Sequence, residues 1–214
     1  ENPARTGFAH LFEHLMFRGT RAVENFDLPV QMASGDNNAF TNNDYTDFYI
    51  TLPKDNLETA LWLESDRMEG LDITPAKLEA EKKVVIEEFR QRYLNQPYGD
   101  QTMLLRALAY KVHPYRWAAI GLATDHIAGA TLADVESFYR AHYRPSNAIL
   151  SISADMEEER MLELAEKWFA PLADHPSATA AIPQEPVQTQ ARRQEVERDV
   201  PASTVTVALS LIHI

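Results

Sequence analysis

The run His10-Leu11-Phe12-Glu13-His14 constrains this chain more than any other stretch. Phe8, Leu15, Met16 and Phe17 extend its apolar surroundings, so a helix built here is buried on most sides and carries two imidazoles and a carboxylate with it. Four residues apart, His10 and His14 leave a helix from one face, one turn above the other. Polar groups in such surroundings need partners, and a cation reached by both rings supplies one. Zinc accepts imidazole nitrogen at about 2.0–2.1 Å and, in catalytic sites, combines three protein ligands with a water. A distant segment would have to provide the third ligand of a His/His/carboxylate set. Glu13 is offset enough from the histidine pair to stay out of the metal's first shell and close enough to reach that water. The competing reading is a pair of core or boundary histidines with ordinary partners, and the spacing alone leaves both open.

The rest of the chain reads as helices interleaved with hairpin-prone strands. The histidine helix is expected over residues 6–18, with Thr6 as N-cap and Gly19 as stop. Residues 20–36 show little periodicity, with turns marked by Pro29 and Gly35. Phe40, Tyr45, Phe48, Tyr49 and Ile50 predict strands within residues 38–52, around a turn at Asn42-Asn43-Asp44. Asn56 is expected to cap a helix over 56–68, and Thr74-Pro75 to open a long one reaching about residue 93. On that helix Glu81 and Glu88 share a face, about 10.5 Å apart along the axis. Glu87 points away, toward solvent or Lys83. By themselves these carboxylates read equally well as a charged solvent-facing stripe.

Further helices are expected over 100–110, over 131–142 with Thr131 as cap, and over 156–169, where Met161, Leu164, Ala165 and Trp168 recur at core spacing. His113-Pro114-Tyr115 reads as a turn with a structural histidine, and His126, His142, His175 and His213 have no ligand partner at useful spacing. Residues 148–152, 192–198 and 205–211 read as strands, and 171–186 as an exposed loop. The expected fold class is α+β, a largely antiparallel sheet with packed helices, and residues 1–214 are expected to form a single domain.

Three motifs together carry a resemblance: the His10–His14 run, Asn38-Ala39-Phe40-Thr41, and the stretch EKKVVIEE from Glu81 to Glu88. With these the chain resembles the pitrilysin-like zinc metallopeptidases, the insulinase and mitochondrial processing peptidase family, over residues 7–168 and more weakly beyond. The resemblance implies that His10, His14 and Glu88 ligate one zinc ion and that Glu13 is the catalytic base. It places a supporting role on Glu81, either in accepting the free ring N–H of a ligating histidine or in contacting substrate or water. It also implies that the strand at Asn38, Ala39 and Phe40 receives an extended peptide substrate as an added strand. Family members enclose peptides between two similar domains, so a second homologous domain or a partner subunit, as in a dimer, would close the chamber. That second domain would supply an arginine and a tyrosine that cannot be assigned here. Two strands precede the zinc helix in the family, so this chain is expected to be a fragment of the N-terminal catalytic half. Ser153-Ala154-Asp155 stands where the family has a glycine-containing segment, a departure that bears on a turn.

The function so implied is that of a zinc-dependent endopeptidase or oligopeptidase acting on extended or unfolded peptides. The alternative is a noncatalytic subunit of the same fold that serves as a structural or peptide-binding partner. Composition removes other classes. A net charge of −12 opposes nucleic-acid binding, which wants a basic surface. The absence of cysteine rules out disulfides and thiol chemistry, and no apolar run is long enough for a membrane span. The compartment stays open, with the bacterial periplasm pointed to only by the resemblance.

Overall fold

The computed structural model describes residues 2–174 and 181–209. The readings made for His175, His213 and Leu211, and part of the loop expected at 171–186, lie outside them.

Helix α1 (Phe8–Leu15) is shorter than expected at both ends. Its N-cap is Gly7, whose φ of 91° places the chain in the left-handed region before the helix begins. Thr6 does not cap it. Its side chain is fully buried, its Oγ accepts the Leu122 N–H at 2.7 Å and lies 2.9 Å from His126 Nδ1, and its own N–H donates to that nitrogen at 3.2 Å. The chain crosses itself tightly here: a Cβ on Gly7 would stand 2.4 Å from the Ile120 carbonyl oxygen, and one on Gly121 3.0 Å from that of Thr6. His126 is thus a structural histidine with a defined partner.

Phe8, Leu11, Phe12 and Leu15 are buried with Leu78, Val85 and Phe89 of α4 (Pro75–Phe89) and with Val135 of α7 (Leu132–His142). Phe12 lies 5.2 Å from the Phe138 ring and 5.1 Å from that of Tyr143, both beyond the middle of the chain. Burying each such side chain is worth roughly 1.5–3 kcal/mol, which explains why α1 is apolar nearly all round. Helix α4 starts as the Thr74-Pro75 pair predicts, with Thr74 Oγ accepting the Lys77 N–H at 3.2 Å. Thr131 and Asp134 form a reciprocal capping box on α7.

Strands β1 (Asp36–Thr41) and β2 (Thr46–Thr51) pair antiparallel, with Asn38 opposite Tyr49, Ala39 opposite Phe48 and Phe40 opposite Asp47. Asn42 Oδ1 closes the turn by accepting the N–H groups of Asp44 and Tyr45, and Arg106 fastens its tip by donating to Asn43 Oδ1 at 2.8 Å. Helix α2 (Asp27–Met32) lies in the stretch without periodicity, where it buries Val30 beside Phe26. Helix α3 (Leu57–Glu69) forms as expected, but Asn56 makes no side-chain cap. It carries a fully buried Arg67 whose guanidinium sits 4.3 Å from the Phe26 ring and 4.4 Å from Phe48 of β2, paired with Glu64. Helices α5 (Gln101–Ala109), α6 (Thr124–Ala128) and α8 (Glu158–Phe169) complete the order.

The α+β class holds, and the hairpin is the sheet found among the described residues. The strands expected at 148–152, 192–198 and 205–211 have no ladder partner among those residues, with Ile149 98% and Val205 88% exposed. Alternation fixes which side chains share a face, but a strand also requires a neighbouring edge. Residues 181–209 instead run extended past α5, where the Glu185 carboxylate accepts the N–H groups of Lys111, Val112 and His113, and Arg192 donates to the Leu108 and Ala109 carbonyls.

Gly7→Ala combines a left-handed φ with a backbone clash, so a loss of roughly 1–3 kcal/mol is expected in denaturant unfolding. Gly70→Ala, at a position with nothing within 4 Å of an added Cβ, should cost much less.

Candidate metal centre

Helix α1 lies across α4, and the side chains at their crossing bring the histidine motif to the acidic stripe. The His14 ring is held at both nitrogens: Nδ1 is 3.4 Å from Glu81 Oε2 and Nε2 is 3.3 Å from Glu88 Oε2. His10 Nε2 lies 3.6 Å from the same Glu88 oxygen, and the two imidazole centroids are 5.0 Å apart. One donor atom each from His10, His14 and Glu88 falls within 4.8 Å of the others. The seven-residue interval between Glu81 and Glu88, nearly two turns, allows one helix to grip both sides of a single ring.

The donor set fits a zinc ion in kind, two imidazoles and a carboxylate. Three buried polar atoms of the described site lack a hydrogen-bond partner, His10 Nδ1, Glu13 Oε2 and Glu81 Oε1, the last of which is ion-paired with Arg18. Buried polar atoms are normally paired, but Arg67 and Arg116 carry unpaired atoms too and the unpaired His10 nitrogen is not the one facing Glu88, so the fit to a metal rests on the donor set. Glu81, 1% exposed, stands where a carboxylate accepts the ring N–H of a ligating histidine, fixing its tautomer.

Burial alone would lower the His14 pKa, but hydrogen bonds to Glu81 and Glu88 outweigh it and raise the value to about 9. Burial lowers that of His10 against the attraction of Glu88. Glu88 is held below its ordinary value chiefly by the His14 hydrogen bond; Glu81, which burial would raise, is brought down by His14 and Arg18.

Sequence reasoning missed the two arginines that back these carboxylates. Arg18 pairs with Glu81 Oε1, and Arg92 Nη2 is ion-paired with Glu88 Oε1 at 2.6 Å. Arg92 lies four residues beyond Glu88, so the i, i+4 rule was a usable signal for it, whereas Arg18 meets Glu81 only through the packing of α1 on α4. Glu87 faces solvent as expected but pairs with Arg90 at 3.6 Å, not with Lys83. His113 is structural, its Nδ1 accepting the Tyr115 N–H.

Asn38, Ala39 and Phe40 lie on β1, against α1, and have different orientations. The Asn42 N–H bond to the Tyr45 carbonyl sets the ladder's alternation, which leaves the backbone groups of Asn37, Ala39 and Thr41 on the outer edge. Among the described residues no strand pairs with that edge. Asn38 and Phe40 are exposed, and Phe40 packs edge-on to Tyr45 at 5.8 Å.

Residues 1–118 match the family described as Insulinase (Peptidase family M16), and residues 129–212 match the Peptidase M16 inactive domain. The chain therefore belongs to the M16 peptidase family. It is 34% identical over 203 residues to the zinc protease PqqE of Helicobacter pylori, covering 93% of this chain and 46% of that protein. It is also similar to a probable mitochondrial-processing peptidase subunit beta of Arabidopsis thaliana, at 24% identity, with 97% of this chain and 40% of the relative covered. A crystal structure of a protease from Helicobacter pylori superposes with a TM-score of 0.83 at 34% identity, over 90% of this chain and 47% of the other. The chain thus spans less than half the length of these relatives. The two matched segments share one core, since Phe12 of the first packs on Phe138 and Tyr143 of the second.

With the His14 pKa raised to about 9 by its two carboxylate partners, a zinc ion taken up through this ring would have to displace a proton. Zinc affinity is therefore expected to rise with pH between 7 and about 9 and then level off, as read by chelator competition, with proton release visible by calorimetry in two buffers. By the same linkage, the contribution of His14 to metal-free stability is full below its unshifted value of 6.5 and is lost as pH rises through about 9.

Proposed function

We propose that this chain is the zinc-binding part of a peptidase that hydrolyses extended or unfolded peptides, with His10, His14 and Glu88 as the metal ligands. The convergence of their donor atoms within 4.8 Å carries the reading. A zinc ion held by His10, His14 and Glu88 would supply Lewis acidity to the attacking water and the scissile carbonyl. Glu13 takes the proton of the attacking water and passes it to the leaving nitrogen. Glu81 orients His14, and the apolar body of α1 keeps bulk water from the rings. Residues 1–214 act as a single domain. A second homologous domain or a partner subunit closes the chamber over the peptide and completes the substrate site.

Peptide recognition falls to the outer edge of β1. The backbone of Ala39, whose N–H donates to Asn38 Oδ1 at 2.8 Å and would exchange that bond, receives the substrate main chain, while Phe40 offers its side chain on the exposed face and favours an apolar or aromatic substrate residue. Backbone pairing explains acceptance of varied sequences, and one good apolar contact supplies roughly 1–3 kcal/mol of preference. The match of residues 129–212 to the Peptidase M16 inactive domain favours a second reading, a noncatalytic subunit of the same fold.

Hydrolysis of a quenched peptide by the full-length protein separates the two. Glu13→Gln should keep zinc and fold while lowering the rate by about 10²–10⁴-fold, and His10→Ala should lose most of the zinc. Zinc retained by the parent, with no hydrolysis to lose, would support the noncatalytic reading. A non-cleavable peptide should bind extended, with main-chain bonds near 2.9 Å to β1. A helical bound peptide, or one bound elsewhere, would remove Asn38, Ala39 and Phe40 from the substrate site.

A further inference from the structure

The two oxygens of Glu88 face different partners. Oε2 stands 3.6 Å from His10 Nε2 and 3.3 Å from His14 Nε2, whereas Oε1 is ion-paired with Arg92 Nη2 at 2.6 Å. Glu81 is divided in the same way, Oε2 toward His14 and Oε1 toward Arg18. Arg92 lies in a turn that widens to π-helical geometry over Arg90–Leu94, closed by the Asn95 N–H donating to the Arg90 carbonyl at 2.8 Å. Such widened turns recur at functional sites. Tyr93 in that turn packs on Phe89 at 5.3 Å and against the main core, which ties the backbone on either side of Arg92 to the body of the protein.

We propose that Arg92 is a positioning residue that occupies Glu88 Oε1 and leaves Oε2 as the single oxygen offered to the metal. The inference rests on the reading of His10, His14 and Glu88 as the metal ligands. An Arg92 side chain 63% exposed makes a pair that adds little to stability, so its consequence is geometric. Carboxylates bind metals through one oxygen or two, and an arginine on the outer oxygen disfavours the second mode while fixing the direction of the first. Charge alone acts in the opposite sense, because a guanidinium near the site repels a divalent cation. Orientation and charge therefore predict opposite signs for the loss of Arg92.

The test uses zinc affinity by chelator competition and the visible spectrum of the cobalt(II)-loaded protein. Four forms are compared: the parent, Arg92→Ala, Arg92→Gln and Arg90→Ala. The Ala variant at 92 should bind zinc about 10–100-fold more weakly, the usual effect of removing a partner of a ligating group. Its cobalt bands should weaken toward those of a higher coordination number as Glu88 engages both oxygens. Arg92→Gln, which keeps a donor for Oε1 without the charge, should recover most of the affinity. Arg90→Ala, which removes the partner of the off-face Glu87, should match the parent. Zinc binding by Arg92→Ala as tight as or tighter than the parent's overturns the proposal. Weaker zinc binding with an unchanged cobalt spectrum overturns it too, since the carboxylate geometry would then be intact. A parent protein that takes up neither metal is a separate failure, that of the metal-site reading itself.

Discussion

The crossing of α1 and α4 is the constraint on which the rest depends. At this point a single imidazole, that of His14, lies between two carboxylates of the same helix, 3.4 Å from one and 3.3 Å from the other. Buried charge is tolerated only where it is paired, and the flanking arginines complete the pairing on the outer oxygens. A network of this kind specifies how the two helices lie against each other, because a sliding register would separate ring from carboxylates. The apolar side chains around it supply the burial, and the polar set chooses the arrangement.

The scaffold holds that crossing from several directions. Thr6 and Gly7 interlock with Gly121 and His126 just before α1 starts, so its first turn has little freedom. On the other side, the Arg67 guanidinium is enclosed by Phe26 and Phe48, which joins α3 to the hairpin that borders α1. Arg106 pins the hairpin tip through Asn43. These contacts tie together elements far apart in the chain, and each acts on an element next to the histidine helix.

Membership of the M16 family and this arrangement agree in their chemistry. An edge strand with outward backbone groups lies beside a helix that carries two imidazoles and a carboxylate. Main-chain recognition at that edge belongs to the peptidase reading proposed above. The chain covers less than half of its relatives' length, so chamber closure belongs to the reading proposed for the whole protein.

Local signals in the sequence determined much of this. The i, i+4 spacing of His10 and His14, the Thr74-Pro75 helix start, the Thr131 cap and the strand formers on either side of Asn42-Asn43-Asp44 all appear in the fold, because each depends on residues within a turn or two. Resemblance then singled out Glu88 from a stripe that residue pattern alone would have left to solvent. Only the tertiary structure decided the rest. Thr6 looked like a cap and became a tether because its partners, Leu122 and His126, are remote in sequence. The apolar stretch at 148–152 and the charged run at 192–198 form no ladder among the described residues, since pairing needs an edge that no local rule can supply. Arg67 buried in α3, and Arg18 behind Glu81, were decided by which surfaces folding brought together, and that is a property of the whole chain.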